Sequence, residues 1–334
     1  MRLAVVLFNL GGPDSPEAVQ PFLRNLFSDP AIITLPGIIR LPLAHLIAKR
    51  RAPVAKEIYG KIGGRSPIVE ETQKQARVLE QMLSRDGVTA KAFIAMRYWH
   101  PFSDGAAQAV KAFGPDKIVL LPLYPQFSTT TTGSSLKDWK RAAAKAGLPE
   151  GASICCYPED AGFVRAAAAR IRETMAGARR DIGWRLLLSA HGLPKKIVAR
   201  GDPYQRQVEQ TAAAIVRELS LPELETIVCY QSQVGPLEWI GPATDAEIER
   251  AGAEGKGVIV APLAFVSEHS ETLVELDIEY RHLAAQSGVP EYRRAATVGA
   301  DSDFIGGLAA LVRRAAAGET EICAMPGDCP PRNL

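Results

Sequence analysis

Val5-Val6-Leu7-Phe8-Asn9-Leu10-Gly11-Gly12-Pro13 is an apolar run closed by a glycine–proline turn. Leu186-Leu187-Leu188-Ser189-Ala190-His191-Gly192-Leu193-Pro194 repeats its pattern in the second half of the chain. A strand that is apolar at consecutive positions is buried on both faces, as in a parallel sheet covered by helices. Val119-Leu120-Leu121-Pro122-Leu123-Tyr124 has its own echo in Val258-Ile259-Val260-Ala261-Pro262-Leu263-Ala264-Phe265. Working outward, comparable runs predict strands over residues 3–10, 91–96, 117–124, 152–157, 184–190, 225–230, 257–262 and 291–296. Segments of helical period fall between them, over 16–27, 69–84, 159–176, 203–218 and 271–285. The alternation predicts an α/β protein of two Rossmann-like, doubly wound domains related by an internal repeat. Each would hold a four-stranded parallel sheet flanked by helices. The domains are expected over 1–150 and 151–318, followed by a cysteine-containing tail over 319–334.

The repeat is informative where it fails. Leu10 and Pro122 are 112 positions apart, Ala190 and Pro262 only 72, an excess of 40 in the first half. The segment over about residues 31–67 accounts for it. It is apolar for much of its length, carries Pro36 and Pro42, and includes Lys49-Arg50-Arg51. It reads either as a buried excursion with a solvated basic end, or as an apolar lip whose cations meet the carboxylates of an amphiphilic ligand. Such a lip could also dip into a membrane interface.

Composition narrows the class. The chain has 334 residues, 47% of them hydrophobic and 23% charged, as in a folded globular protein. Its formal charge of +2 supplies no basic field for nucleic acid. The opening apolar run stops at Gly11-Gly12-Pro13, too short for a signal core, and no run approaches the ~20 residues that span a bilayer. A cytoplasmic protein is expected, with peripheral contact at the inner face of the membrane through the lip. The five cysteines, Cys155, Cys156, Cys229, Cys323 and Cys329, contain no C-x-x-C pair and argue against a disulfide framework.

In doubly wound sheets, ligands gather outside the carboxyl ends of the strands. Those positions hold Asn9-Leu10-Gly11, Arg97-Tyr98-Trp99-His100, Tyr124-Pro125-Gln126, His191, Tyr230-Gln231-Ser232 and the stretch from Phe265 to Glu271. A histidine there is often a packing or capping residue, and as a neutral imidazole it can also accept a proton or ligate a metal. Glu271, Glu275 and Glu279 recur at i, i+4 and i+8 with His269 just before them. An acidic row is commonly a solvated face, and like charges at that spacing repel one another. The alternative is a file of carboxylates that attracts a cation or passes protons, and a π-type turn would align it further. Dinucleotide, P-loop and nucleophile-elbow glycine motifs are absent.

Taken in order, these blocks resemble the ferrochelatases, enzymes that insert ferrous iron into a porphyrin. The resemblance covers residues 3 to about 311. It rests on Leu7–Pro13, Ile62-Gly63-Gly64-Arg65-Ser66-Pro67, Arg97-Tyr98-Trp99-His100-Pro101, Leu123-Tyr124-Pro125-Gln126-Phe127-Ser128, Gly133-Ser134-Ser135, Ser189–Pro194, Arg200-Gly201-Asp202-Pro203-Tyr204, Tyr230-Gln231-Ser232 and the stretch from Phe265 to Tyr280. It implies the chelatase-type version of the fold and the terminal step of haem biosynthesis. By the resemblance, His191 and Glu271 are the catalytic pair and metal ligands facing each other across the macrocycle, and His269, Glu275 and Glu279 form a proton or metal path. Arg51, Tyr59 and Ser66 match positions that hold the propionates, with Leu10, Arg97, Tyr98 and Tyr124 as further porphyrin contacts. Leu10 resembles the residue of enzymes using protoporphyrin IX, where the coproporphyrin type tends to carry Tyr.

Arg65 and Gln233 depart from the usual pattern without touching the chemistry. No cofactor is implied beyond the substrate Fe2+, save a [2Fe-2S] cluster that some members carry on a C-terminal extension. Cys156, Cys323 and Cys329 are its candidate ligands here; Cys155 is an alternative upstream thiolate, since adjacent cysteines seldom ligate together. Two readings compete: a related chelatase that inserts another metal into a different tetrapyrrole, and a non-catalytic porphyrin or haem carrier. The acidic row argues against the carrier.

Overall fold

The computed structural model describes residues 1–85, 87–233, 235, 237–319 and 321–323. Its first strand, β1 (Arg2–Asn9), carries the pattern that decided the fold class: residues 3–9 are all 5% exposed or less. Ala4, Val6 and Phe8 point into one apolar layer with Phe93, Val110, Leu120 and Trp139. Phe8 meets Trp139 edge-on at 6.1 Å between ring centroids. Leu3, Val5 and Leu7 are equally buried on the opposite face, as strand alternation requires.

Two units divide the chain. The first comprises Met1–Cys156 with the described residues from Leu308 onward, and the second comprises Tyr157–Gly307. In the first, β2 (Thr89–Met96), β3 (Lys117–Pro122), β4 (Ala152–Cys156) and β9 (Glu321–Cys323) join β1 in a parallel sheet of order β2-β1-β3-β4-β9. In the second, β5 (Trp184–His191), β6 (Glu225–Gln231), β7 (Gly257–Pro262) and β8 (Tyr292–Arg294) form a parallel sheet of order β6-β5-β7-β8. Without β9 the two orders are the same. The units also share local closures. Leu123 N–H donates to Phe8 O and Leu263 N–H to Ser189 O, each at 2.8 Å. Each central strand therefore meets the exit of its neighbour in the same way. A π-helix follows in both units, Thr129–Gly133 after β3 and Glu271–Glu279 after β7.

Two features go beyond the sequence reading. The lip is one long helix, Gly37–Gly60, that runs through Pro42 and Pro53. It docks through small side chains, Ala44, Ala48 and Ala52, each 4% exposed or less, and leaves Ile38 86%, Ile39 53% and Leu41 54% exposed. The tail contributes β9, which extends the first sheet to five strands. Among the described residues, no helix is long and apolar enough to cross a membrane.

Candidate active site

His191 ends β5, where it pairs with Gln231, the last residue of β6. The next position must be glycine: a Cβ at Gly192 would lie 2.9 Å from the Gln231 carbonyl oxygen. Gly192 N–H donates to that carbonyl at 2.8 Å, so the chain after His191 lies against the end of β6. The exit of β7 leads through Ser267 and His269 into the π-helix, which presents Glu271 and Glu275 toward one hydroxyl, that of Ser232.

The contacts are short and convergent. His191 Nδ1 lies 2.8 Å from Glu271 Oε2. Ser232 Oγ stands 3.2 Å from the same oxygen and 2.5 Å from Glu275 Oε2, and its backbone N–H donates to Glu275 Oε1 at 2.8 Å. Tyr280 donates to Glu275 Oε1 at 3.2 Å, and Tyr204 donates to the His191 carbonyl at 3.1 Å. His269 is buried, its Nδ1 3.1 Å from the Ser267 carbonyl, so its Nε2 faces Glu271 Oε1 at 4.0 Å. Phe265 packs edge-on to His191, at 6.4 Å between centroids. Glu279 lies at the exposed end of the π-helix. The His191 and Glu271 side chains remain 42% and 24% exposed, so the pair is open to a ligand.

Charge is distributed unequally over this group. Burial disfavours a protonated His191, but the Glu271 carboxylate outweighs it and raises the imidazole pKa. Burial likewise opposes a charge on Glu271, and His191 more than offsets it, lowering that carboxyl. Glu275 goes the other way: burial first, then the neighbouring Glu271 charge, pushes it up to about 7 against the Ser232 hydrogen bonds. Burial lowers the pKa of His269 and keeps it neutral. Each partner of the His191–Glu271 contact thus favours charge on the other, beside a carboxyl pushed up to about 7.

The remaining candidates belong to the first unit. Leu10, Tyr59 and Tyr98 share an apolar cluster at the end of β1, and the Arg51 guanidinium lies over Phe27 of that cluster at 5.8 Å. Ser66 is 8% exposed and fits against Gly12, where an added Cβ would lie 2.5 Å from Ser66 Cβ and Oγ. Arg97 and Tyr98 both reach Asp29, which is 3% exposed. Asp29 Oδ2 accepts from Arg97 Nη2 at 2.8 Å, Tyr98 Oη at 2.9 Å and Ser134 Oγ at 2.5 Å. Tyr124 packs on the core layer of β1, and burial raises its phenol pKa. At the far edge of the sheet, Cys156 Sγ and Cys323 Sγ are 3.8 Å apart. Cys329 lies outside the described residues.

A family profile for ferrochelatase matches residues 2–316. The chain belongs to the ferrochelatase family. A ferrochelatase of Caulobacter vibrioides (strain NA1000 / CB15N) is 58% identical over 93% of this chain and 90% of that relative. One from Phenylobacterium zucineum (strain HLK1) is 58% identical over 92% of this chain and 90% of its own length. Among solved structures, SirB from Bacillus subtilis with Fe3+ superposes with a TM-score of 0.57 at 16% identity. That match covers 97% of this chain and all of the other, a likeness of fold. Membership in the family carries the activity expected from the sequence, iron insertion into a porphyrin.

The sequence alone assigns no role to Ser232, Ser134 or Asp29. Ser232 and Ser134 fall inside two of the family blocks, so their positions were marked and only their partners were hidden. Asp29 left no such signal, because its partners are 69 and 105 residues away along the chain.

Proposed function

We propose that the chain inserts Fe2+ into protoporphyrin IX to give protohaem, with His191 and Glu271 at the point where iron meets the pyrrole nitrogens. The observation that carries this assignment is the 2.8 Å contact between His191 Nδ1 and Glu271 Oε2 at an accessible strand end, with Glu275 joined to Glu271 through Ser232. Insertion releases two pyrrole protons for each Fe2+ that enters. The site must therefore supply negative charge for the cation and an acceptor for protons. Glu271, held ionised by His191, supplies the charge. An approaching dication favours the neutral imidazole: a proton held by His191 leaves to solvent, and the free ring nitrogen can then accept one from a pyrrole N–H. Glu275, pushed up to about 7, takes up or releases a proton near neutral pH, and Glu279 at the exposed end of the π-helix continues the path to solvent. His269, kept neutral by burial, borders the same carboxylate.

Porphyrin binding is assigned to the first unit. Leu10 offers an apolar contact suited to protoporphyrin, and Arg51, Tyr59 and Ser66 suit its propionates, the guanidinium through a bidentate fork. Arg97, Tyr98 and Tyr124 line the neighbouring strand ends. Remote contacts of this kind supply the binding energy that distorts a planar ring toward the metal. The exposed Ile38, Ile39 and Leu41, followed by Lys49-Arg50-Arg51, form the surface by which a cytoplasmic enzyme rests on the inner face of a membrane.

A [2Fe-2S] centre fits the thiols at the sheet edge. A pair 3.8 Å apart matches the edge of a thiolate tetrahedron with metal–sulfur bonds of about 2.3 Å, well beyond the ~2.05 Å of a disulfide. Cys156 and Cys323 would hold the centre, with Cys329 as a further candidate. Such a centre supplies a one-electron couple and ties β9 to β4.

The test is anaerobic incubation of purified protein with protoporphyrin IX and Fe2+, followed by the porphyrin-to-haem absorbance change. Turnover is expected with protoporphyrin and weakly with coproporphyrin. Tight porphyrin binding without metallation would instead make the chain a carrier.

A further inference from the structure

β4 ends in two adjacent cysteines, and successive side chains of a regular strand point to opposite faces. On that rule Cys155 and Cys156 have no common target. The β4–β9 ladder does not keep the rule. Ser153 pairs with Glu321 and Ile154 with Ile322, but the next pair is Cys156 with Cys323, so Cys155 is the extra residue of a bulge. A bulge bends its strand and re-aims a side chain. The result is visible in the sulfur positions: the Sγ atoms of Cys155, Cys156 and Cys323 all lie within 4.8 Å of one another. Both Cys155 and Cys323 are partly accessible, and Cys156 is buried.

We propose that the bulge makes Cys155 a third thiolate ligand, so that Cys155, Cys156 and Cys323 together form one soft-metal site at the β4–β9 edge. This deepens the iron–sulfur reading above and rests on it only for the identity of the metal. Three converging thiolates select a thiophilic centre, iron–sulfur or zinc, over hard cations. The β9 strand has only three residues, and its attachment to β4 has the broken register just described. A centre ligated from both strands would fasten that attachment, so metal binding and docking of the C-terminal strand are coupled. Cys229 provides an internal control. It is fully buried in the second unit, with its thiol pushed up to about 12, chiefly by burial, and such a thiol is a poor ligand.

The experiment uses the full chain purified without oxygen, as wild type and as C155S, C156S, C323S and C229S. Iron, acid-labile sulfide and zinc are measured per chain, with visible and electron-paramagnetic-resonance spectra. Metal is expected in the wild type and in C229S, and a tenfold or greater loss is expected in C155S, equal to that in C156S and C323S. Iron with equimolar sulfide supports both the site and the iron–sulfur reading; zinc without sulfide supports the three-thiolate site and removes that reading. Wild-type stoichiometry and an unshifted spectrum in C155S would overturn the proposal, as would wild-type protein without bound iron or zinc. Should C155S fail to fold, Co2+ titration of the C329S apoprotein, in which Cys329 cannot supply the third thiolate, decides the matter. Charge-transfer intensity of at least three thiolates supports the site, and that of two or fewer overturns it.

Discussion

Replacing Asp29 by Asn separates the charge of this residue from its shape. The carboxylate is 3% exposed, and one of its oxygens receives three donors, from Arg97, Tyr98 and Ser134. The other oxygen accepts from Ala31 N–H at 2.8 Å. Asn preserves the volume and the bond from Ala31, but it turns an amide donor toward three donors and leaves the Arg97 guanidinium without its counter-charge. Removing one partner of a buried ion pair costs about 3–5 kcal/mol. The Arg97 side chain is 20% exposed, so water recovers part of the loss and a cost of about 3 kcal/mol is expected. The assay is denaturant unfolding, with hydrogen exchange of peptides over residues 1–10 and 89–99 to locate the loss in the first unit. A double-mutant cycle with Arg97→Gln should return a coupling of about 2 kcal/mol. Asp29→Asn within about 0.5 kcal/mol of wild type, or additivity in the cycle, would refute the view that this carboxylate holds Arg97 and Tyr98 in place.

Three further outcomes follow from the same structure. Glu275 titrates near 7 in the folded chain against an ordinary 4.5, so the folded state holds this proton more tightly and the site costs stability as pH rises between those values. Glu275→Gln should therefore be neutral in stability at pH 4 and stabilising above pH 7, on the order of 2 kcal/mol after screening, as read from melting curves at both pH values. Equal effects at the two pH values would contradict the raised pKa. Ser232→Ala removes a hydroxyl that lowers the Glu275 pKa. The acid limb of turnover should move up by roughly one pH unit, and an unmoved limb would detach Ser232 from the proton path. Ile38→Asp places a charge at a side chain 86% exposed on the long helix. It should lower flotation with anionic liposomes at least about tenfold while turnover on detergent-dispersed porphyrin stays unchanged.

Much of this architecture was legible because parallel strands buried on both faces leave unbroken apolar runs. β7 was foreseen over its full range of residues 257–262, and β1 and β5 to within one residue at their ends. The helix Gly37–Gly60 was hidden for a physical reason. Its two prolines imitate breaks, and its apolar side chains face solvent as well as the core. β9 escaped notice because a three-residue strand has no period to detect. His191 and Glu271 were singled out by strand-end position, by spacing and by resemblance. Their mutual approach required tertiary structure, as did the positive φ of 63° that sets Ser232 against both carboxylates. The bulge that leaves the sulfurs of Cys155, Cys156 and Cys323 within 4.8 Å of one another is announced by no local pattern.

The central claim is that His191 and Glu271 act at the metal rather than in binding the porphyrin. It is tested most directly by titrating wild type and Glu271→Gln with protoporphyrin IX by fluorescence quenching, then adding Fe2+ anaerobically to both and following haem formation. The expected result is porphyrin affinity within about threefold of wild type and a metallation rate lower by at least about 100-fold. Metallation at the wild-type rate in Glu271→Gln, with binding unchanged, would contradict the account.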